Sequence, residues 1–148
     1  MEISSAGCAE RTNCGCWWFR FKHVIQGNCH LQHLTLRQAK NSGVSGFPSF
    51  TMDNVFAEQY GECGVGAFGT GGVGRCTNVE VRQCGQGGVN ATSGASITLI
   101  GAKTTVHPNC TNGEGIDYGL EVHRSYSTIQ LVSPLVKRTS LRRQQWGW

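Results

Sequence analysis

Apolar and polar residues alternate in short stretches along most of this chain, and the stretches recur in a fixed order. Three thirteen-residue strings, LTLRQAKNSGVSG from Leu34, VFAEQYGECGVGA from Val55 and VEVRQCGQGGVNA from Val79, align without a gap. Each string has an apolar, any, apolar, charged, Gln pattern, then four variable residues and Gly-Val. The strings begin 21 and 24 residues apart, and a looser fourth copy begins near Thr105.

The short alternating stretches are bounded by Gly, Asn, Ser and Thr, which predicts strands and not helices. Propeller blades need about 40 residues. A leucine-rich repeat would have an Asn near the place of Lys40, and the later copies depart further from its pattern. Units of 21–25 residues with two or three short strands fit one turn of a parallel β-helix. We therefore predict an all-β chain whose residues 23–135 form a short right-handed parallel β-helix of four to five coils. An irregular segment, 1–22, precedes the coils, and a basic tail, 136–148, follows them.

Equivalent residues of successive coils in such a stack lie about 4.8 Å apart. Because strand side chains alternate between two faces, the recurring apolar positions are predicted to point inward and form the core. These columns are Leu31, Met52, Cys76 and Leu99; Leu34, Val55 and Val79; Leu36, Ala57, Val81 and Val106; and Val44, Val65, Val89 and Leu120.

The positions between these columns are predicted to face outward, and they include the candidate binding residues. They form the rows Thr35, Phe56, Glu80 and Thr105, and Arg37, Glu58, Arg82 and His107. The charges of the second row alternate in sign, which favours a ladder of exposed salt bridges between coils. The alternative is that both rows form part of a ligand-binding face. Gln38, Gln59 and Gln83 also align, which predicts a ladder of stacked amides.

Glycine recurs at one position of the repeat, which predicts either a bend with positive φ or a close approach of backbones. The position is held by Gly43, Gly64, Gly88 and Gly119. The string from Gly64 to Gly69 also reads G-x-G-x-x-G, but Thr-Gly-Gly-Val-Gly follows it and cannot begin a stable helix. A dinucleotide site is therefore rejected. We predict instead a strand with Val65 and Ala67 inward, then a crossing turn over residues 68–74.

The net charge of +4 resides entirely in the tail, at Lys137, Arg138, Arg142 and Arg143, since residues 1–136 sum to zero. A neutral body does not indicate a nucleic-acid-binding surface. No apolar run approaches the ~18 residues of a membrane span. The amino-terminal residues lack the apolar segment of a secretion signal, so we expect an intracellular location.

Several cysteines and histidines lie close together in the first part of the chain, namely Cys8, Cys14, Cys16, Cys29, His30 and His33. Zinc accepts such side chains, but their spacing matches no established arrangement. We therefore expect no metal and no cofactor. Asn90 and Asn109 begin N-x-[ST] strings, which occur often by chance.

The strings CTNVEVRQCGQGGVNATSGASITLIGAKTTVHPNC and YSTIQLVSPL resemble right-handed parallel β-helix proteins of the pectate-lyase-like superfamily. The resemblance is closest to repeat-rich β-helix proteins of algae and related microbes. It implies the fold over about Val24 to Leu135, and it raises the prospect of polysaccharide chemistry. Such hydrolases need paired carboxylates, and such lyases hold calcium with acidic residues. Here the only aspartates, Asp53 and Asp117, are predicted to lie three coils apart, so no catalytic residue can be carried over.

Two functional hypotheses follow from the sequence. The first is a non-catalytic recognition or scaffold module that binds a protein or a glycan through its solenoid face. The alternative is a polysaccharide-active lyase, epimerase or hydrolase. End-to-end self-association, or membership of a longer array, also remains open because solenoid ends need covering.

Overall fold

The computed structural model describes residues 4–5, 15–19, 22–26, 28–38, 40–111 and 119–132. Over these ranges the chain forms strands and no helix, which confirms the predicted all-β class. No helix long and apolar enough to cross a membrane occurs in the same ranges. The strands are β1 (Ser4–Ser5), β2 (Gly15–Phe19), β3 (Lys22–Gln26), β4 (Cys29–Gln32), β5 (Leu34–Arg37), β6 (Val44–Phe47), β7 (Ser49–Asp53), β8 (Phe56–Glu58), β9 (Val65–Phe68), β10 (Val73–Thr77), β11 (Glu80–Arg82), β12 (Val89–Thr92), β13 (Ser96–Ile100), β14 (Thr105–Val106), β15 (Leu120–His123) and β16 (Thr128–Val132).

These strands stack into three sheets, and each turn of the chain adds one strand to each sheet. Sheet A has the order β1-β5-β8-β11-β14, sheet B the order β2-β3-β6-β9-β12-β15, and sheet C the order β4-β7-β10-β13-β16. All neighbours pair in parallel except β1 with β5 and β2 with β3, which are antiparallel. The molecule is therefore a parallel β-solenoid, and each turn visits sheets C, A and B in that order.

The turns β4–β6, β7–β9 and β10–β12 are complete apart from residue 39, and the fourth, β13–β15, is interrupted at residues 112–118. The solenoid thus makes about three full turns, slightly fewer than the four to five coils predicted. Its right-handed sense and the division at residues 22 and 135 stay predictions. Within the first 22 residues the structure describes strands β1 and β2, which the sequence did not indicate.

The predicted columns form the core. Leu31 pairs in register with Met52, Met52 with Cys76, and Cys76 with Leu99, and all four side chains are buried. The columns that begin at Leu36 and Val44 stack in the same way. Leu34, Val55 and Val79 each directly precede a paired position and are buried. Leu120 is only partly buried, because it lies on the last described strand of sheet B. At about 1.5–3 kcal/mol for each large side chain removed from water, these columns are the main source of stability.

Phe50 adds a core column that the repeat alignment did not predict. It pairs in register with Gly74, which in turn pairs with Ile97. A Cβ on Gly74 would lie 2.6 Å from Phe50 Cζ, so the ring occupies space that any larger residue would need. The large and small members of this column are therefore complementary in volume, as close packing requires.

The corners of the solenoid share one backbone conformation. The residue directly after a strand has a left-handed φ at ten positions, while Pro48 after β6, with its fixed negative φ, cannot adopt one. The corner residues are His33, Asn54, Asn78 and Gly101 after sheet C; Gln38, Gln59 and Gln83 after sheet A; and Gly69, Ser93 and Arg124 after sheet B. Corner amides also bond to the next turn, as Asn54 N–H does to the Thr77 carbonyl at 3.0 Å. Each corner thus turns the chain while keeping the ladder intact.

The recurring glycines lie elsewhere and serve a different purpose. None of Gly43, Gly64, Gly88 and Gly119 has a positive φ, so the bend alternative is wrong. A Cβ on Gly64 would lie 2.9 Å from both Cys84 Sγ and the Gly88 carbonyl oxygen, so close approach is the reason for glycine there. Val65 and Ala67 are fully buried, as predicted. The crossing turn ends earlier than predicted, because β10 already begins at Val73.

Candidate functional site

The outer face of sheet A carries the predicted binding residues, and the structure brings them into the two expected rows. Phe56 pairs in register with Thr35 and Glu80, and Glu80 pairs with Thr105. Phe56 is 47% exposed, and it is the one large apolar side chain of that row.

The second row on the same face stacks as predicted. Glu58 pairs in register with Arg37 on one side and with Arg82 on the other. The His107 N–H bonds to the Val81 carbonyl at 2.9 Å, which places His107 beside Arg82 in the stack.

Glu58 binds both arginines of this row. Its Oε1 accepts from Arg37 Nε, and its Oε2 lies 2.6 Å from Arg82 Nε. Arg82 also contacts Glu80, with Nη1 to Oε1 at 3.0 Å. These contacts raise the pKa of Arg82, chiefly through the hydrogen bond to Glu58. The salt-ladder interpretation is confirmed, and the charges of this face are used within the molecule.

The ladder differs from the prediction in one respect: its carboxylate is not exposed. Glu58 is only 3% exposed, while the two arginines remain partly in solvent. A surface pair contributes about 0–1 kcal/mol, but loss of a partner from a buried pair costs several. Glu58 thus has a structural role in sheet A, and its burial leaves little of the carboxylate accessible to a ligand.

The stacked glutamines continue the polar pattern at the edge of sheet A. Gln38 Nε2 donates to Gln59 Oε1 at 3.4 Å, and Gln59 Nε2 donates to Gln83 Oε1 at 3.4 Å. This confirms the predicted amide ladder, which links three successive turns.

The outer face of sheet C holds a feature that the sequence interpretation missed. A depression with a volume of about 430 Å³ opens there across three neighbouring turns. Its lining consists of Asn28, Cys29, His30, Ser49, Phe50, Thr51, Val73 and Arg75. The repeat alignment contained this row, because Thr51 and Arg75 directly precede the column residues Met52 and Cys76, but no charge pattern marked it.

Polar side chains in this depression are held in pairs. His30 Nδ1 lies 2.5 Å from Thr51 Oγ1, and Ser49 Oγ donates to Asn28 Oδ1 at 2.5 Å. Arg75 pairs in register with Thr51, so its side chain rises from the same row one turn further on. Arg75 is exposed and, unlike Arg37 and Arg82, makes no ion pair with any described residue. The depression therefore contains an available guanidinium beside hydroxyl and imidazole groups, with no carboxylate in its lining.

The buried thiols are poor nucleophiles. Burial raises the pKa of Cys76 from its ordinary value of 9.0 to about 12. Burial, followed by the neighbouring Cys63 and Cys110, raises the pKa of Cys84 to about 12. Since the thiolate is the reactive form, neither thiol attacks a substrate readily near neutral pH.

The structure describes the side chains of some of the residues considered for metal binding, and these form no metal-binding cluster. Across the described ranges, no group of three His, Cys, Asp or Glu side chains could hold a metal ion. Cys29 is disulfide-bonded, so its sulfur is not a thiolate ligand. The side chains of Cys8, Cys14 and Cys16 lie outside the described part of the chain.

Among the described residues, Asp53 belongs to no pair of catalytic carboxylates. Asp53 is the last residue of β7, where its Oδ1 accepts from Asn54 Nδ2 at 3.0 Å. Asp117 falls outside the described residues.

Both sequon asparagines are occupied by contacts between turns. Asn90 Nδ2 donates to Glu121 Oε2 at 2.8 Å, and Asn109 Oδ1 accepts from the Cys84 N–H at 3.1 Å. Asn109 Nδ2 also donates to the Val81 carbonyl at 3.4 Å, so a glycan on either amide nitrogen would disturb a contact between turns.

No family model, no curated protein and no solved structure matches this chain. The solenoid fold therefore rests on the geometry described above.

Proposed function

We propose that this protein is a non-catalytic recognition module that binds an acidic glycan in the depression on sheet C. The observation that carries the proposal is the exposed Arg75 guanidinium in a depression without a lining carboxylate. An unpaired arginine favours an anionic group, because its planar fork donates two parallel hydrogen bonds to a carboxylate.

A glycan suits the remainder of the lining. The lining offers both hydrogen-bond donors and acceptors, at Asn28, His30, Ser49 and Thr51. Residues on neighbouring turns lie about 4.8 Å apart. Val73, which is 47% exposed, supplies an apolar surface beside them. An extended chain of hydroxylated rings can lie across such a flat, mixed surface without needing a deep pocket.

Sheet A supports the non-catalytic part of the proposal. Its central carboxylate, Glu58, is held by two arginines and is nearly inaccessible, so it is poorly placed to donate a proton to a bound sugar. The sheet A residues Arg37, Glu58, Arg82, His107, Phe56 and Glu80 stay a predicted second face for a protein or glycan partner.

Kinship with the pectate-lyase-like superfamily is part of the same proposal. Its support is the parallel three-sheet stack with one turn for each 21 to 24 residues. Among the described contacts, none specifically favours the polysaccharide-active alternative.

The proposal is tested by measuring the affinity of the protein for polygalacturonate and for its neutral methyl ester. We expect the acidic polymer to bind and the ester to bind weakly. Replacement Arg75→Gln should lower affinity on the order of tenfold or more, as loss of a charge-assisted pair does. The matched control is Lys103→Gln, which removes the same charge from an exposed turn and should leave affinity unchanged.

Three results would contradict the proposal. Equal losses in both variants would show non-specific attraction instead of a site at Arg75. Binding to a protein but to no acidic glycan would replace the ligand class. Formation of unsaturated or reducing sugar ends, with or without calcium, would show that the protein is an enzyme.

A further inference from the structure

At the end of the solenoid formed by β14, β15 and β16, core positions emerge into solvent. Leu131 stacks in register on Leu99, yet it is 42% exposed while Leu99 is 2% exposed. Val122 stacks on the fully buried Ala91 and is 50% exposed. These inward-pointing side chains form an apolar end surface, which we define as Leu120, Val122, Ile129 and Leu131.

The backbone at this end is also incomplete. In the described sheets, β14, β15 and β16 are each the last strand, so one edge of each has no neighbouring strand. Such an edge presents N–H and C=O groups that another β-strand can satisfy. The apolar surface and the free edges together favour a partner that is itself a strand-ended stack.

The opposite end is different, because two of its three described sheets end in an antiparallel strand. There β1 pairs antiparallel with β5 on sheet A, and β2 pairs antiparallel with β3 on sheet B. These reversed strands interrupt the parallel stack at that end. A head-to-tail filament would have to stack onto them, which disfavours an open chain of copies.

We propose that the apolar end surface binds a second copy of this chain in a closed two-fold dimer, with β16 paired antiparallel to β16 of the other copy. An antiparallel pair centred on Gln130 places Ile129 of one copy opposite Leu131 of the other. Both residues belong to the inward face of β16, so the core runs on across the interface without a change of face.

Charge permits this contact. Strand β16 reads Thr-Ile-Gln-Leu-Val and carries no charged residue, so two copies bring no like charges together along it. Residues 1–136 sum to zero charge, so repulsion between two copies is limited to the four basic residues of the tail, and salt screens it. A two-fold contact is self-complementary and closes, so it consumes the free edge of both copies at once.

The mass of the full-length protein in solution tests this inference by light scattering after size-exclusion chromatography. We expect twice the 16.0 kDa of one chain. The variant Leu131→Lys should have the mass of a single chain, with an unchanged circular dichroism spectrum. The matched control Val73→Lys changes an equally exposed apolar residue on the outer face of sheet C and should remain dimeric. A monomeric full-length protein overturns the inference, as does a dimer that both variants preserve or both abolish.

A second measurement does not depend on the folding of the lysine variant. Gln130→Cys places a thiol at the two-fold axis, where facing Cα atoms of an antiparallel pair lie about 4.5–5.5 Å apart, within reach of a disulfide. Mild oxidation should give a covalent dimer on a non-reducing gel. Thr98→Cys, one turn inward in the same row, should not. Cross-linking at both positions or at neither overturns the inference, and this result is independent of glycan binding.

Discussion

At the residue scale, Glu58 shows how a surface pattern becomes a buried interaction. The alternating signs of Arg37, Glu58 and Arg82 predicted the pairing, because parallel stacking places them on neighbouring turns. The sequence could not predict the burial of Glu58, which requires two arginine stems to cover one shorter side chain from both sides. Its carboxylate therefore exchanges water for two guanidinium groups.

Replacement of Glu58 by alanine should destabilise the protein by about 3 kcal/mol, because the arginines on the two neighbouring turns lose their shared counter-ion. The control is Glu80→Ala, which removes a more exposed carboxylate whose one ion pair with a described residue is to Arg82. That change should cost about 0–1 kcal/mol. Urea denaturation followed by circular dichroism measures both, and equal losses would show that the burial of Glu58 adds nothing.

Arg75, also at the residue scale, is a site residue that the sequence did not identify. The alignment contained its row, in which Thr51 and Arg75 precede Met52 and Cys76. Nothing in that row alternates in charge, so no pattern distinguished it from an ordinary solvated face. Its distinctive property is the absence of a carboxylate partner among the described residues, and that is a property of three dimensions.

At the element scale, the glycine column determines how closely the long connections from sheet A to sheet B can stack. Gly64 lies against the Gly88 carbonyl of the next turn and against Cys84, so its hydrogen atom is the largest substituent that fits. Gly119 occupies the equivalent position in the last described turn, where the nearest described heavy atoms to a Cβ, on Val106, would lie 4.0 Å away.

Gly64→Ala should therefore lower the free energy of unfolding by about 1–3 kcal/mol, as overpacking does. Gly119→Ala is the matched control, and it should change stability by no more than about 0.5 kcal/mol. Thermal melting of the two variants compares them directly. If both melt alike, the repeated glycine does not mark close approach.

The strands that carry the repeat were predictable from the sequence. The corners that join them and the antiparallel strands at one end of the stack were not. Val55, Val79 and Val106 are buried as predicted, because an alternating apolar pattern fixes which face turns inward. The corner conformation gave no signal, since it is adopted by residues as different as His33, Gln59 and Arg124. Strands β1 and β2 belong to no repeat, so no periodicity could reveal their antiparallel pairing.

At the scale of the whole molecule, the ionisable groups buried in the interior control the response to alkaline pH. Burial raises the pKa of Cys76 and of Cys84 from 9.0 to about 12, and it raises the pKa of Tyr60 above its ordinary 10.0. The folded protein keeps these protons at a pH where the unfolded chain releases them. Unfolding is then favoured as pH rises, since stability falls wherever the native state binds more protons.

Stability should accordingly be constant below about pH 8 with respect to these groups and should fall between about pH 9 and pH 12. Each group contributes about 1.4 kcal/mol for each pH unit over which only the unfolded form is ionised. Urea midpoints measured across this range test the slope. The variant Cys76→Ala should show a shallower decline than the wild type, and identical slopes would contradict the assignment to Cys76.

The shared conformation of the corners makes one turn of this molecule a transferable module. Asn54 and Asn78 have φ values of 51° and 52°, and each donates its backbone N–H to the turn above. A chain in which Asn54 is followed directly by Val79 would meet the same corner and the same inward column, only one turn shorter. The length of the solenoid can thus change by whole turns through duplication or deletion of one stretch of sequence, while the three sheets and the corners keep their geometry.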